Sequence, residues 1–288
     1  MLPAPFEYHR PNSLDEALQL MSSLQEAKLL AGGQSLIPLL KFRFAAPAHL
    51  VDVNRVPGLD GIAEDGGALR IGALVRHNQV AASELVSARF PVLAAAAPQI
   101  ADPIVRNLGT VCGSLAHADP AGDWGAVMLA MGATVVARSA RGERHIPIGQ
   151  FFQDIFTTAL EPDELVTEVR VPAPAGRTGG TYLKLERKVG DFATVAAAIH
   201  VAMDDGRIAR AGIGLTAVGT KNVQATEAEA ALAEAEPGDG LFAEAGRLAA
   251  AATNPVTDVR GSAQYKRHVV ELFVRRGLAM AIDMARAA

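Results

Sequence analysis

The chain has 288 residues, 50% of them hydrophobic, and a formal net charge of −4. That length supports a well-buried core in two domains or one lobed domain, and the charge offers no global positive field to nucleic acid or an anionic membrane. A single cysteine, Cys112, cannot make an internal disulfide, a zinc site or an iron–sulfur cluster from this chain alone, so a reducing, cytoplasmic setting is expected.

In chain order, the opening MLPAPFEYHRPNS has no basic stretch leading into an apolar run, and no signal peptide is expected. No run of ~18 uncharged apolar residues follows, so no membrane span is expected either. Ser13 and Glu16 form a capping-box pattern, with Leu14, Ala17, Leu18 and Met21 on one helical face. The run from Lys28 to Ala31 reads as a strand ending at Gly32-Gly33, with a short helix near residues 35–44 and a second strand at 49–53. Residues 68–74 read as a strand, 77–93 as one or two helices, and 133–147 as a hairpin turning at Arg141-Gly142. A strand over 164–172 stops at Pro172, and PAPAGRTGG at 172–180 is the best linker candidate. Three antiparallel strands are expected at 182–188, 194–203 and 208–218, with Asp204-Asp205-Gly206 as the turn between the last two. Helices follow near 225–236, 239–253 and 263–286.

Two glycine-bearing loops carry the chemistry. Ala31, Gly32, Gly33, Gln34 and Ser35 join a strand to a helix, where glycine permits positive φ and close backbone approach, and a helix N-terminus offers free N–H groups to a phosphate. About eighty residues later, Thr110, Val111, Cys112, Gly113 and Ser114 combine a glycine with hydroxyl donors. Plain loop geometry explains either loop alone, and the spacing permits, without demonstrating, that both straddle one pyrophosphate. No G-x-G-x-x-G after a strand, no P-loop, no H-E-x-x-H and no G-x-S-x-G is present, which speaks against Rossmann, P-loop, zinc-protease and α/β-hydrolase chemistry.

Four ordered blocks resemble the FAD-binding medium subunits of molybdenum hydroxylases, the group of aerobic carbon monoxide dehydrogenase and the xanthine dehydrogenase flavin domain. They are AGGQSLIPLLKFR with LVDVNRV, IADPIVRNLGTVCGSLAHADPAGDWGAV, YLKLERKVGDFATVAAA and DVRGSAQYKRHVVELFVRRGL. The resemblance implies an α+β fold: a two-lobed FAD-binding domain of the vanillyl-alcohol-oxidase (PCMH) type over residues 1–177, with lobes of about 1–56 and 57–177. A C-terminal domain of three antiparallel strands and helices would fill 178–288. It also implies pyrophosphate on residues 31–35 and 110–114, Asp123 hydrogen-bonded to the flavin side, Lys184 near the isoalloxazine and Val166 packed on the cofactor.

The implied task is electron relay. Two [2Fe–2S] clusters in a small subunit and a molybdopterin-molybdenum centre in a large subunit would feed FAD, which discharges to an external acceptor. The implied assembly is (large–medium–small)2, with carbon monoxide or an N-heteroaromatic, purine-like compound oxidised at molybdenum. No catalytic acid, base or metal ligand is read in this chain.

Departures from the family pattern are Gln34 where His is common, Cys112 where Gly is common, and Phe192 where Tyr is common. Cys112 then needs an ordinary backbone conformation, because positive φ suits glycine better. Without the resemblance, Asp123 reads as a helix cap and Lys184 as a solvated strand lysine, while His77 and His117 read as structural or surface groups. A self-sufficient flavin oxidase of the same fold and a non-catalytic nucleotide-binding scaffold are the competing classes.

Overall fold

Local signals build the amino-terminal unit of the chain, whose computed structural model describes residues 2–288. Ser13 caps helix α1 (Leu14–Ser23) by accepting from the Glu16 N–H at 3.1 Å, while the Glu16 carboxylate reaches back to the N–H of Asn12, not Ser13, at 2.8 Å. The helix buries Ala17, Leu18 and Met21. Around it lie β1 (Glu7–His9), β2 (Ala27–Leu30), α2 (Leu36–Phe42) and β3 (His49–Asp52), with the strands in a parallel sheet of order β1-β3-β2. Strand β1 escaped sequence analysis because three residues show no period.

The next unit is an antiparallel sheet of order β4-β5-β10-β6-β7, formed by β4 (Ile62–Asp65), β5 (Ala68–Gly72), β6 (Thr134–Ser139), β7 (Gly142–Pro147) and β10 (Leu165–Pro172). The β6–β7 hairpin turns where expected, with Gly142 at φ +139°. Between β5 and β6 run α3 (His77–Ala81), α4 (Glu84–Arg89), α5 (Pro91–Ala96), α6 (Pro103–Leu108), α7 (Val111–His117) and α8 (Asp123–Met131). Three helices therefore occupy 77–96 where one or two were expected, since Ser83 and Pro91 each start a new one. Helix α9 (Ile148–Phe151) and the small pair β8 (Phe152–Asp154) and β9 (Thr157–Thr158) precede β10.

The last sheet, of order β11-β12-β13-β14, comprises β11 (Arg177–Leu185), β12 (Val195–Asp204), β13 (Arg207–Thr216) and β14 (Val223–Gln224). It has four strands, not three; two-residue β14 is too short to carry a pattern. Helices α10 (Thr226–Leu232), α11 (Asp239–Ala251) and α12 (Ala263–Ala287) complete the chain. Asp205 and Gly206 turn β12 into β13 with φ of 42° and 78°. Among the described residues, no helix is long and apolar enough to cross a membrane.

The linker reading of 172–180 needs correction. Residues 177–180 already belong to β11, and Gly179 and Gly180 serve close packing rather than flexibility. A Cβ on Gly179 would overlap the Ala281 carbonyl of α12, and one on Gly180 would overlap Val92 of α5. The sheet is thus covered on both faces: Val195, Ala197 and Ile199 join the core with α10–α12, whereas Ala196 and Ala198 join the core of the preceding unit. On that second face lies α8, all nine residues of which are buried. Cβ atoms on Gly212 and Gly214 would overlap the carbonyl oxygens of Ala130 and Ala126, so helix and strand touch backbone to backbone.

Gly212→Ala should therefore cost about 3 kcal/mol or more by overpacking, lowering Tm by roughly 5–10 °C in thermal melts. Gly61→Ala, where an added Cβ meets nothing within 4 Å, should be silent. A silent Gly212→Ala would disprove the backbone-to-backbone contact.

On the same face, His200 is buried with Nδ1 unpartnered, and burial, then Arg210, lowers its pKa to about 4. A base whose folded pKa lies below its unfolded value gives stability that is complete above about pH 6.5 and declines as pH falls toward 4, by up to about 1.4 kcal/mol per pH unit. His200→Leu should flatten the loss of Tm between pH 7 and 5; an unchanged slope would show that His200 takes up its proton without opposition from the fold.

Candidate functional site

Both glycine loops leave sheet or helix ends, and the fold brings them together. Gly33 adopts φ +71°, and a Cβ there would lie 2.7 Å from Ile37 Cδ1. A Cβ on Gly32 would overlap the Leu108 carbonyl and lie 2.7 Å from Gly109 Cα, immediately before Thr110. Gln34 donates to the Gly32 carbonyl at 3.2 Å, and the Ser35 hydroxyl, at the start of α2, makes no cap bond. Ala31 is half-buried.

The second loop is the first turn of α7. Thr110 caps it, accepting from Gly113 N–H at 3.1 Å, and Ser114 follows half-buried. Val111 and Cys112 face the core. Cys112 has ordinary helical backbone, its Sγ lies 3.6 Å from the Ile71 carbonyl, and burial pushes its thiol pKa up, so it is inert and unstrained.

A clasp that sequence analysis did not single out ties the loops. Asn54 Nδ2 donates to the Ala31 carbonyl at 2.8 Å; Arg76 donates to Asn54 Oδ1 at 2.6 Å and to the Leu108 carbonyl at 2.5 Å. Arg76 also bridges Thr110 through the backbone, and the His77 N–H donates to Gly109 O at 3.0 Å. The available signal for Asn54 was its place in LVDVNRV. A cavity of about 400 Å³ borders this clasp, lined by Arg55, Asp60 and Gln79 among others, but no residue of 31–35 or 110–114 lines it.

His77 is buried and structural, as read. Its Nδ1 accepts from Trp124 Nε1 at 2.9 Å, and burial, with Arg106 and Arg76, lowers its pKa to about 4, so the ring is neutral. Its Nε2 packs on Gly109, where a Cβ would lie 2.7 Å away. Half-buried His117 lies 4.0 Å from Asp119.

At the start of α8, Asp123 meets two residues that alternate along β11. Tyr182 donates its hydroxyl to Oδ1 at 2.5 Å, and Lys184 Nζ donates to Oδ2 at 3.3 Å and to the Gln99 carbonyl at 3.0 Å. The Lys184 side chain is 1% exposed, so it is not solvated, and α8 is preceded by Gly122 without any side-chain cap, so Asp123 is no cap. Burial raises the Asp123 pKa, opposed by Lys184 and Tyr182; burial and Asp123 raise that of Tyr182. Glu186 lies 3.4 Å from Lys184, yet its Oε2 is buried without a hydrogen-bond partner. Val166 is buried in the central strand β10.

Two family models match the chain: the FAD binding domain in molybdopterin dehydrogenase over residues 4–174, and the CO dehydrogenase flavoprotein C-terminal domain over 180–281. The carbon monoxide dehydrogenase medium chain of Hydrogenophaga pseudoflava is 41% identical, over 96% of this chain and 97% of that one. Subunit alpha of the 6-hydroxypseudooxynicotine dehydrogenase complex of Paenarthrobacter nicotinovorans is 40% identical, over 99% and 97%. In solved structures, carbon monoxide dehydrogenase from H. pseudoflava superposes with a TM-score of 0.96 at 43% identity, over 99% of each chain. Quinoline 2-oxidoreductase from Pseudomonas putida 86 gives 0.91 at 33%, over 100% of this chain and 99% of that one.

Removing Asp123 leaves Lys184 with Glu186 as its remaining counter-charge and the buried Tyr182 hydroxyl without its acceptor, so Asp123→Ser should cost about 1–3 kcal/mol in denaturant unfolding. Equal stability of Asp123→Ser and the parent would mean that Lys184 escapes to water.

Proposed function

This chain belongs to the family of FAD-binding flavoprotein subunits of molybdopterin dehydrogenases, and on that premise we propose that it holds FAD across its two glycine loops and relays electrons within a multi-subunit oxidoreductase. The observation that carries this reading is the contact of Gly32 with Leu108 and Gly109, which sets residues 31–35 beside 110–114. The residues fit the cofactor. A backbone cradle closed to any Cβ suits a pyrophosphate, and the Glu186 Oε2 that faces Lys184 at 3.4 Å makes no hydrogen bond and keeps acceptor capacity.

Backbone N–H groups of both loops, with the hydroxyls of Thr110, Ser35 and Ser114, would bind the pyrophosphate. Asp123 would accept a hydrogen bond from the flavin side, Lys184 would present its charge toward the isoalloxazine, and Val166 would pack on the cofactor. Bound FAD supplies two-electron acceptance and onward transfer. The residues of this chain bind and orient it and set its electrostatic surroundings; they do not act on the organic substrate.

The assembly we infer is (large–medium–small)2 in the cytoplasm, with two [2Fe–2S] clusters and a molybdopterin-molybdenum centre in the partners. Relatives of this chain serve carbon monoxide, nicotine-derived and quinoline-oxidising enzymes on one medium-chain fold, which supports placing substrate choice in the large subunit. The substrate class is then carbon monoxide or an N-heteroaromatic compound.

The test is purification of the chain alone and with co-expressed partners. The lone chain with FAD should turn over no candidate substrate with an artificial acceptor, while the complex should reduce its flavin. Robust turnover by the lone chain would overturn the relay reading. In the same preparation, Gly33→Val should drop the flavin-to-protein ratio to roughly a tenth or less while the circular dichroism stays native, because position 33 needs φ above zero; a normal ratio would remove the site assignment.

A further inference from the structure

Away from the loops, three side chains with metal-ligand chemistry converge on β1 and β3. Parallel pairing sets Glu7 opposite His49 and His9 opposite Val51. Alternate residues share a face, so Glu7, His9 and His49 project together, while Tyr8 points to the other face and donates to Asp52 at 2.5 Å. His9 Nε2 lies 3.1 Å from His49 Nδ1; Glu7 Oε2 lies 3.4 Å from His49 Nδ1 and 4.0 Å from His9 Nε2. A tetrahedral ion bound at about 2.0–2.1 Å holds its ligand atoms about 3.3 Å apart. The three spacings bracket that value, so small side-chain rotations would complete the set.

The scaffold suits a fixed site. Two ligands come from one strand and the third from its hydrogen-bonded neighbour, with Glu7 N–H donating to the Ala48 carbonyl at 2.8 Å. The imidazoles are largely covered, at 24% and 20% exposure, whereas Glu7 at 75% leaves one side open to water. Nothing else hydrogen-bonds the Glu7 carboxylate among the described residues.

We propose that Glu7, His9 and His49 bind one first-row transition dication of the Zn2+ type, with water in the remaining position, and that the ion staples edge strand β1 to β3. Two imidazoles and a carboxylate favour Zn2+, Cu2+, Ni2+ or Co2+ over Mg2+ or Ca2+. On binding, the contact between the two rings is replaced by two nitrogen–metal bonds; the ring that donates in that contact moves its proton to its other nitrogen, and the other ring's proton stays in place.

The test uses the full, FAD-loaded chain after chelator treatment, titrated with ZnCl2 by calorimetry and with CoCl2 by visible absorption. One Zn2+ per chain should bind, Tm should rise by roughly 5 °C at a hundredfold excess over Kd, and Mg2+ should do nothing. His9→Gln and His49→Ala should each weaken binding at least about 100-fold, beyond the usual loss for an outer-shell partner. Exposed Glu7→Gln, which cannot threaten folding, should weaken it about tenfold. His145→Ala, at the other histidine–glutamate contact, should leave it unchanged. The proposal fails if no stoichiometric Zn2+ binds, if binding survives the histidine substitutions, or if Glu7→Gln leaves affinity intact.

Discussion

A helix with no solvent-facing side, α8, governs how the two halves of the chain meet. Helices at a protein surface keep a polar stripe; one that is apolar all round must be covered all round. Here the cover is asymmetric. Side chains of the first core pack on one side, and bare backbone of β13 presses on the other at Gly212 and Gly214. Such contact brings peptide groups closer than side chains permit, and it leaves little freedom to slide. Thr216 and Asn222, from the C-terminal sheet and the loop after it, then seize the carbonyls just before the helix: Thr216 Oγ1 donates to Pro120 or Gly122 at 2.8 Å, and Asn222 Nδ2 donates to Gly122 at 3.1 Å.

The chemistry of the site follows from that anchoring. Asp123 opens α8, where the helix dipole favours a negative charge, and β11 brings Tyr182 and Lys184 to it from the other half of the chain. Burial opposes the carboxylate charge, and the ammonium, the phenol and the dipole oppose burial. A buried pair of this kind contributes little net stability relative to an apolar pair; what it supplies is a defined arrangement of charge. In a flavoprotein, that arrangement bears on the cofactor's potential.

Much of this was legible in the sequence because its signals are local. The Ser13 cap, the Asp205-Gly206 turn and the Gly32-Gly33 loop each depend on a few adjacent residues and stand where they were read, whereas Glu16 reaches Asn12 instead of closing a box on Ser13, and residues 110–114 form a helical turn. Long-range demands were not legible. Gly179 and Gly180 look like a flexible joint until α12 and α5 are seen pressing against them, and Lys184 looks solvated until Asp123 arrives from sixty residues away. Strands β1 and β14 are too short to show alternation. The clasp of Asn54 and Arg76 unites residues that share no motif, so only the folded chain could pair them. Cys112, an apparent departure from the glycine pattern, is accommodated because its backbone is helical and its side chain is absorbed by the core.

The approach of Gly32 to Leu108 and Gly109 carries a further meaning. Main chain resting on main chain acts as a ruler between the two lobes, and no side chain at position 32 can lengthen or shorten it. Side chains of these loops can differ in chemistry without touching that contact: Gln34 bonds back to the Gly32 carbonyl, and Cys112 turns into the core. A ligand held by both loops, as proposed above, would find them already ordered and surrender little of the chain's conformational entropy. Affinity is then inherited from architecture rather than from any one contact.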